Sequence, residues 1–419
     1  MSDRLALGVD IGTSGVRIAA VREDGTIAHL AKAEIDLTKG GRNDPEVWLD
    51  ALAKATSELA SAINPATIEA ISVDGTSGTV LALDQENRPV GSALMYNDAT
   101  SDPKIPKAIA AVAPKESAAH GPASALSRAL ELQKRSGVTR IAHQADWIAE
   151  QLAGTPVPSD ESNALKTGYD PIARCWPDWL SETGITANLL PDVVQTGTAT
   201  AITNGSFGLP SGIPIVAGVS DGCASFLATG AKEVGDAVTA LGTTMILKLL
   251  SDTPIFAPEY GIYSHRIGER WLAGGASNTG GGVLLQYFSE DEMANLSDRI
   301  DPEQPSGLDY YPLSKTGERF PINDPDLAPK LSPRPEDDVQ FFHGLIEGIA
   351  RIETLGYQRL KELGAPSLKS LRTVGGGGKN KIWKSIRSTL INAPTPTSQS
   401  GEAAVGSAHI AWSYLEGRR

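Results

Sequence analysis

Residues 8–21, GVDIGTSGVRIAAV, decide how the chain is read. The apolar run 5–11 reads as a strand, Thr13-Ser14-Gly15 breaks it, and 16–21 resumes as a second strand, with Asp24-Gly25 marking a further hairpin. Asp10 stands at the end of the first strand. Gly12 and Gly15 let the main chain turn tightly and approach a ligand. Successive N–H groups in such a turn form an anion nest, to which Thr13 and Ser14 add hydroxyl donors. Asp10 faces a phosphate only through a divalent cation, since two anions repel. The plainer alternative is a hairpin whose Asp bonds its own backbone.

Working outward, the same pattern returns at 238–250, VTALGTTMILKLL, as an internal repeat with a second Gly-Thr turn at Gly242-Thr243. Between the repeats, Asp44 and Pro45 open a helix whose buried face is Trp48, Leu52, Ala55, Leu59 and Ile63. Residues 68–74 and 79–84 read as a strand pair across a Gly-Thr-Ser-Gly turn, and 103–190 as mostly helical. IPIVAGVSDG (213–222) is a buried strand delivering Asp221 to its carboxyl end. Ligands of open α/β sheets bind there, and a following helix N-terminus keeps a carboxylate ionised. Capping of that helix is the alternative use of Asp221. A long helix spans 340–363. After the strand LRTV, Gly375–Gly378 offers bare backbone to a flat ligand, with Asn380 for hydrogen bonding and Trp383 as a stacking face. Two phosphate-type turns on repeated units, a glycine turn and two strand-end aspartates point to a kinase of the actin-like ATPase superfamily. No GxxxxGK[ST] motif is present.

Composition agrees. The 419 residues allow two or three domains. A charge of −13 argues against nucleic acid or an anionic membrane as partner, and requires an anionic ligand to be held by local donors. No apolar run reaches the ~20 residues of a membrane helix, and no signal peptide is read at the start. Two cysteines, Cys175 and Cys223, exclude a disulfide framework and suit the cytoplasm. The six histidines show no metal spacing.

GVDIGTSGVR, DPEVW (44–48), QADWIAEQLAG, SDESNALKTGYD, VAGVSDG, LGTT, GERFPINDP and TVGGGGKNKIW together resemble the FGGY carbohydrate kinases over essentially the whole chain. VDGTSGT (73–79), ALMYND, YGIYSHR, GGASNTGGG and GLDYYPL resemble its short cyanobacterial and plant branch, read as D-ribulose kinase. The resemblance implies an α/β protein of two RNase H-like domains, residues 1–227 and 228–401, with a helix at about 402–419 packing back on the first and an interdomain cleft. It implies ATP- and Mg2+-dependent phosphorylation of a ketopentose, most simply D-ribulose to D-ribulose 5-phosphate, by a monomer or homodimer. Asp221 becomes the general base. Asp10 contacts the sugar and helps place magnesium, and Ser77 touches the sugar. Thr13, Ser14, Gly15, Gly242 and Thr243 meet phosphate, while Gly376, Gly377, Asn380 and Trp383 border adenine. One departure stands out: the Trp-x-Asp-x-Arg sugar motif of many members is Tyr96-Asn97-Asp98-Ala99-Thr100 here, without its arginine. The rival functions are a D-xylulose or other polyol kinase, a non-catalytic nucleotide sensor, and an Hsp70- or actin-like ATPase.

Overall fold

The computed structural model describes residues 4–417; residues 1–3 and 418–419, at the two ends of the expected first domain, lie outside the described residues. The opening runs pair as a meander of β1 (Leu5–Ile11), β2 (Gly15–Arg22) and β3 (Ile27–Glu34). The first turn is closed by the Gly12 N–H donating to the Gly15 carbonyl at 2.9 Å. α1 (Pro45–Ala62) begins where the Asp44 side chain accepts from the Glu46 N–H and Pro45 supplies a helical φ. It buries Trp48, Leu52, Ala55 and Leu59, while Ile63 is its C-cap. β4 (Ile68–Gly75) then runs parallel to β1, placing Asp74 opposite Asp10.

β4 does not pair with β5 (Val80–Leu83), contrary to the strand pair expected across the Gly-Thr-Ser-Gly turn. β5 instead pairs antiparallel with β6 (Arg140–His143) in a separate two-stranded sheet. The reason is burial: β4 carries seven buried residues of eight and occupies the sheet centre between β1 and β10. Helices between 103 and 190 are also shorter than expected. They are α2 (Lys104–Val112), α3 (Ala125–Leu132), α4 (Gln144–Ala153), α5 (Glu161–Ala164) and α6 (Trp179–Glu182), well under half of the segment. Gly and Pro break the rest, and β7 (Ser159–Asp160) pairs with β8 (Val193–Val194). β9 (Ala199–Asn204) and β10 (Ser211–Val216) complete the first sheet in the order β3-β2-β1-β4-β10-β9, and α7 (Asp221–Ala228) follows.

The chain divides into two units, the first running to Ala228 and adding His265–Glu269 and the residues from Glu402 onward. The second is Thr229–Ser264 with Arg270–Gly401. In the second, β11 (Asp236–Leu241), β12 (Met245–Ser251) and, after the short β13 (His265–Ile267) of the first unit, β14 (Arg270–Ser277) repeat the antiparallel meander. β15 (Ser370–Val374) lies parallel to β11 as β4 does to β1. α8 (Gly281–Leu284), α9 (Glu290–Ser297), α10 (Asp338–Glu362) and α11 (Lys381–Ile391) complete the unit. The core of this unit sets Leu247, Phe320, Phe341 and Leu345 among α10 and its sheet. Glu353 of α10 forms a buried bidentate ion pair with Arg387 of α11, both bonds 2.6 Å.

α12 (Ala403–Gly417) belongs to the first unit. It packs backbone to backbone: a Cβ at Gly8 of β1 would collide with the Ala404 carbonyl, and one at Gly406 with the Ala224 carbonyl of α7. Ser407 of the same helix donates to Asp74 Oδ2 at 2.5 Å.

Candidate functional site

Three parallel strands of the first unit end close together, and each delivers a carboxylate or a turn there. β1 ends in Asp10, β4 in Asp74 and the Thr76-Ser77-Gly78 turn, and the segment after β10 in Asp221. Gly75 and Ser220 bridge in parallel, so Asp221 follows directly beside β4. The Ser77 N–H points to Asp221 Oδ1 at 3.4 Å, and the Gly222 N–H donates to the same oxygen at 2.6 Å. Asp221 is therefore the first residue of α7, with a carboxylate tied to its own helix start and to the sugar-turn candidate. Asp10 and Asp221, far apart in sequence, thus occupy one site of the first unit.

The electrostatics of this corner are unusual. Asp10 is 5% exposed, and burial raises its pKa. The Arg17 guanidinium, 3.2 Å from Asp10 Oδ2, opposes that shift, and the Asp221 charge adds to it. Asp74 is fully buried; burial first, then the Asp10 charge, hold it well above the usual carboxylate range. Two adjacent carboxyls in low dielectric cannot both ionise. Asp74 is accordingly driven toward the neutral acid, with Oδ2 accepting from Ser407 and a carboxyl–carboxyl contact to Asp10. This residue was missed in the sequence. Its signal was present, since Val73-Asp74-Gly75 ends β4 as Val9-Asp10-Ile11-Gly12 ends β1.

Two basic residues were missed as well. The Lys166 ammonium reaches the Ser77 carbonyl at 3.4 Å and is in no ion pair among the described residues. Arg128 of α3 is 1% exposed and gives its guanidinium wholly to carbonyls: Gly78, Tyr96, Asp98 and Ala123, at 2.7 to 3.1 Å. Burial lowers its pKa to about 10, so it remains protonated at neutral pH. Asp98 spends its carboxylate on the Met95 N–H at 2.8 Å, within its own loop. Arg128 thus acts as a clamp on the 77–78 turn and the 96–98 loop. Ser77 Oγ is buried without a hydrogen-bond partner among the described residues.

The other residues singled out in the sequence fall into two groups. Thr13, Ser14 and Gly15 form the β1–β2 turn of the first unit, with Ser14 exposed. In the second unit, Gly242 and Thr243 form the exposed β11–β12 turn, whose carbonyls accept from the Gly281 and Gly282 N–H groups opening α8. Glu318 stiffens that approach by accepting from Ser277 Oγ at 2.5 Å and the Asn278 N–H at 2.7 Å. Gly375, at φ +89°, sits against the Leu241 carbonyl, and Gly376–Lys379 form one 3-10 turn. Asn380 caps α11 through the Trp383 N–H and donates to Ser297 at 2.7 Å. Trp383 corrects an expectation: it is 2% exposed, with its ring under Gly377, and offers no open stacking face. Its spacing on an amphipathic helix turns it into the core. Cys223 is fully buried beside Ser162 and Ser220. His143 is also buried, bonded to Asp146, Ser159 and Thr167. Among the described residues no cluster of three or more His, Cys, Asp or Glu could hold a metal by itself, and no helix is long and apolar enough to cross a membrane.

Two units built on the same meander-plus-parallel-strand plan, each with a Gly-Thr turn between its first two strands, define an ATPase-type α/β fold of the actin-like superfamily. The model of the FGGY family of carbohydrate kinases, N-terminal domain, matches residues 5–116, and that of the C-terminal domain matches residues 237–413. The chain is similar to the xylulose kinase of Escherichia coli, at 21% identity over 97% of this chain and 89% of that protein. It is also similar to the gluconokinase of Bacillus subtilis, at 22% over 98% and 88%. Among solved structures, the ligand-bound xylulose kinase of Lactobacillus acidophilus superposes with a TM-score of 0.83 at 18% identity, covering 99% of this chain and 90% of that one. The chain belongs to the FGGY family of carbohydrate kinases and is an ATP-dependent phosphotransferase with an alcohol as acceptor.

Proposed function

We propose that this kinase phosphorylates a ketopentose, D-ribulose in the first instance, using ATP with magnesium. The observation that carries the reading of the acceptor site is the meeting of the Asp221 carboxylate, the Ser77 amide and the Lys166 ammonium at one turn beside Asp10. Donors and a carboxylate in that order suit a polyol: the carboxylate accepts from the attacking hydroxyl, and the amide and ammonium hold its oxygen neighbours. D-ribulose rests on the branch-like stretches VDGTSGT and YGIYSHR. D-xylulose is the second reading, favoured by the names of several relatives.

Phosphoryl transfer passes through a loose transition state, so the protein positions and neutralises more than it reacts. Asp221 orients the acceptor hydroxyl and takes its proton as the new P–O bond forms. Thr13, Ser14, Gly15, Gly242 and Thr243 supply amides and hydroxyls for phosphate oxygens, and Gly376, Gly377 and Asn380 border the base, over Trp383 as a buried floor. A single carboxylate with phosphate ligands is the ordinary magnesium arrangement. Asp10 fits it, with the Arg17 guanidinium 3.2 Å from its Oδ2 opposing the upward push of burial; bound magnesium would neutralise phosphate charge there.

General-base contributions are ~10²–10⁴-fold. Asp221→Asn is expected to lose at least ~100-fold in sugar-dependent ATP consumption while still binding ATP; near wild-type turnover removes the assignment. A coupled assay over D-ribulose, D-xylulose, gluconate and glycerol tests the acceptor. D-ribulose should lead in kcat/KM by at least ~10-fold, about 1.4 kcal/mol; a lead for D-xylulose transfers the function to the second reading.

A further inference from the structure

The groove on the other side of the glycine turn has no part in the chemistry above. It lies within the second unit, between the edge strand β15, the start of α11 and the segment 395–401, and encloses about 350 Å³. Gly375, Gly378 and Lys379 face it, whereas Gly376 and Gly377 do not line it. Its walls hold two lysines, Lys379 and Lys384, and no carboxylate. Neither ammonium group has a hydrogen bond or ion pair among the described residues. In a chain carrying −13, an acid-free groove with two uncompensated cations is a local reversal of sign.

The remaining polar lining is hydroxyl. Thr373 and Thr397 have side-chain hydroxyls without a partner among the described residues. Ser398 donates to the Thr373 carbonyl at 2.9 Å and Thr395 pairs with Ser388 at 3.1 Å, so both keep lone pairs for an incoming hydroxyl. The volume is near the lower end for small-molecule sites, about 300–1,000 Å³. No aromatic ring lines the groove to grip a nucleobase.

We propose that this groove binds a phosphate monoester carried on a polyhydroxy carbon chain, the chemical class of a phosphorylated sugar. A monoester bears about −1.5 to −2 at neutral pH, which the Lys379 and Lys384 ammonium groups match as point charges. The threonine and serine hydroxyls take the chain. Phosphorylated sugar is also the class of product this family makes, so the groove is a second place where product is recognised, apart from Asp10 and Asp221. Binding there does not depend on which sugar the enzyme phosphorylates.

The test is site-resolved labelling of the full chain. Pyridoxal 5′-phosphate, itself a phosphate monoester, condenses through its aldehyde with a nearby lysine amine, losing water, and borohydride reduces the imine to a stable secondary amine. With ADP saturating the nucleotide turns, peptide mapping should find Lys379 or Lys384 labelled at least ~5-fold faster than the surface Lys54. A pentose 5-phosphate should protect them, and neutral pentose or inorganic phosphate should do so at least ~10-fold less well. Lys384→Gln and Lys379→Gln should each weaken pentose 5-phosphate binding measured calorimetrically with ADP present, while Asp221→Asn leaves that component in place. Labelling no faster than Lys54, or no protection by the sugar phosphate, overturns the site. Equal protection by inorganic phosphate overturns the polyol part, and loss of the component in Asp221→Asn returns the binding to the acceptor site.

Discussion

Replacing Asp74 by Asn should do almost nothing to stability at acid pH and should stabilise the protein as pH rises. The carboxyl is fully buried, accepts from Ser407 and meets the Asp10 carboxyl. An amide of the same shape keeps both interactions, with its oxygen toward Ser407 and its N–H toward Asp10. Asp74→Ala keeps neither. At about 1–1.5 kcal/mol per hydrogen bond, the alanine variant loses about 2–3 kcal/mol before any cost of the space left behind. The pH dependence runs the other way for wild type. Its Asp74 has a folded pKa above the unfolded value of about 3.9, so the stability it contributes is complete below the unfolded value and is lost as pH climbs through the folded one. Over the interval where the folded chain holds that proton and the unfolded chain does not, wild type should lose about 1.4 kcal/mol per pH unit relative to Asp74→Asn. Urea unfolding of wild type, Asp74→Asn and Asp74→Ala at several pH values, with the m-value checked for constancy, reads this directly. An asparagine variant as damaged as the alanine one, or one whose difference from wild type is flat with pH, would show that Asp74 is an ion and refute the neutral acid.

Other expectations follow from neighbouring contacts. Arg387→Met should cost about 3–5 kcal/mol by stranding Glu353, and the double variant Glu353→Leu/Arg387→Met should recover most of it in the same unfolding assay; equal losses in both would mean the pair contributes no coupling. Arg128→Lys leaves at most three donors for the carbonyls of Gly78, Tyr96, Asp98 and Ala123, so the acceptor-sugar KM should rise at least ~10-fold while the ATP KM stays within ~2-fold; unchanged sugar KM would free the 77–78 turn from this clamp. Gly406→Val should lower stability by at least ~2 kcal/mol, because its side chain meets the α7 backbone; a neutral result by thermal melting would mean that α12 can withdraw from α7 at little cost.

What was legible in the sequence was whatever is encoded locally. The meander of β1 to β3, the Asp44-capped α1, and α10 all declare themselves by turn residues or a 3.6-residue period, and α10 stops at Leu363 just before Gly364, at φ +103°. Non-local pairing was not legible. Nothing within residues 68–84 says that β4 prefers β1 and β10 to its sequence neighbour β5, because the decision rests on two strands 60 and 140 residues away. Burial of charge misled in the same way. Arg128 in SALSRALELQKRSG looks like one more surface cation until four carbonyls surround it, and Trp383 looks available until its helix face turns inward. Asp10 and Asp221 could be proposed because strand ends advertise themselves. Lys166 could not, since it sits in a single 3-10 turn, Leu165–Thr167, too short to show a period.

The position of α12 has a consequence for how the protein is made. Its backbone fills the layer between β1 and α7, two elements built from the first 228 residues. The ribosome must therefore finish the whole second unit before the first can be sealed. Until then the hydrophobic flank of β1 and the Asp74 carboxyl stand without their cover. The nascent first unit spends the synthesis of about 170 residues as an unfinished body, and that interval is when a chaperone, or a misfolding partner, would find it.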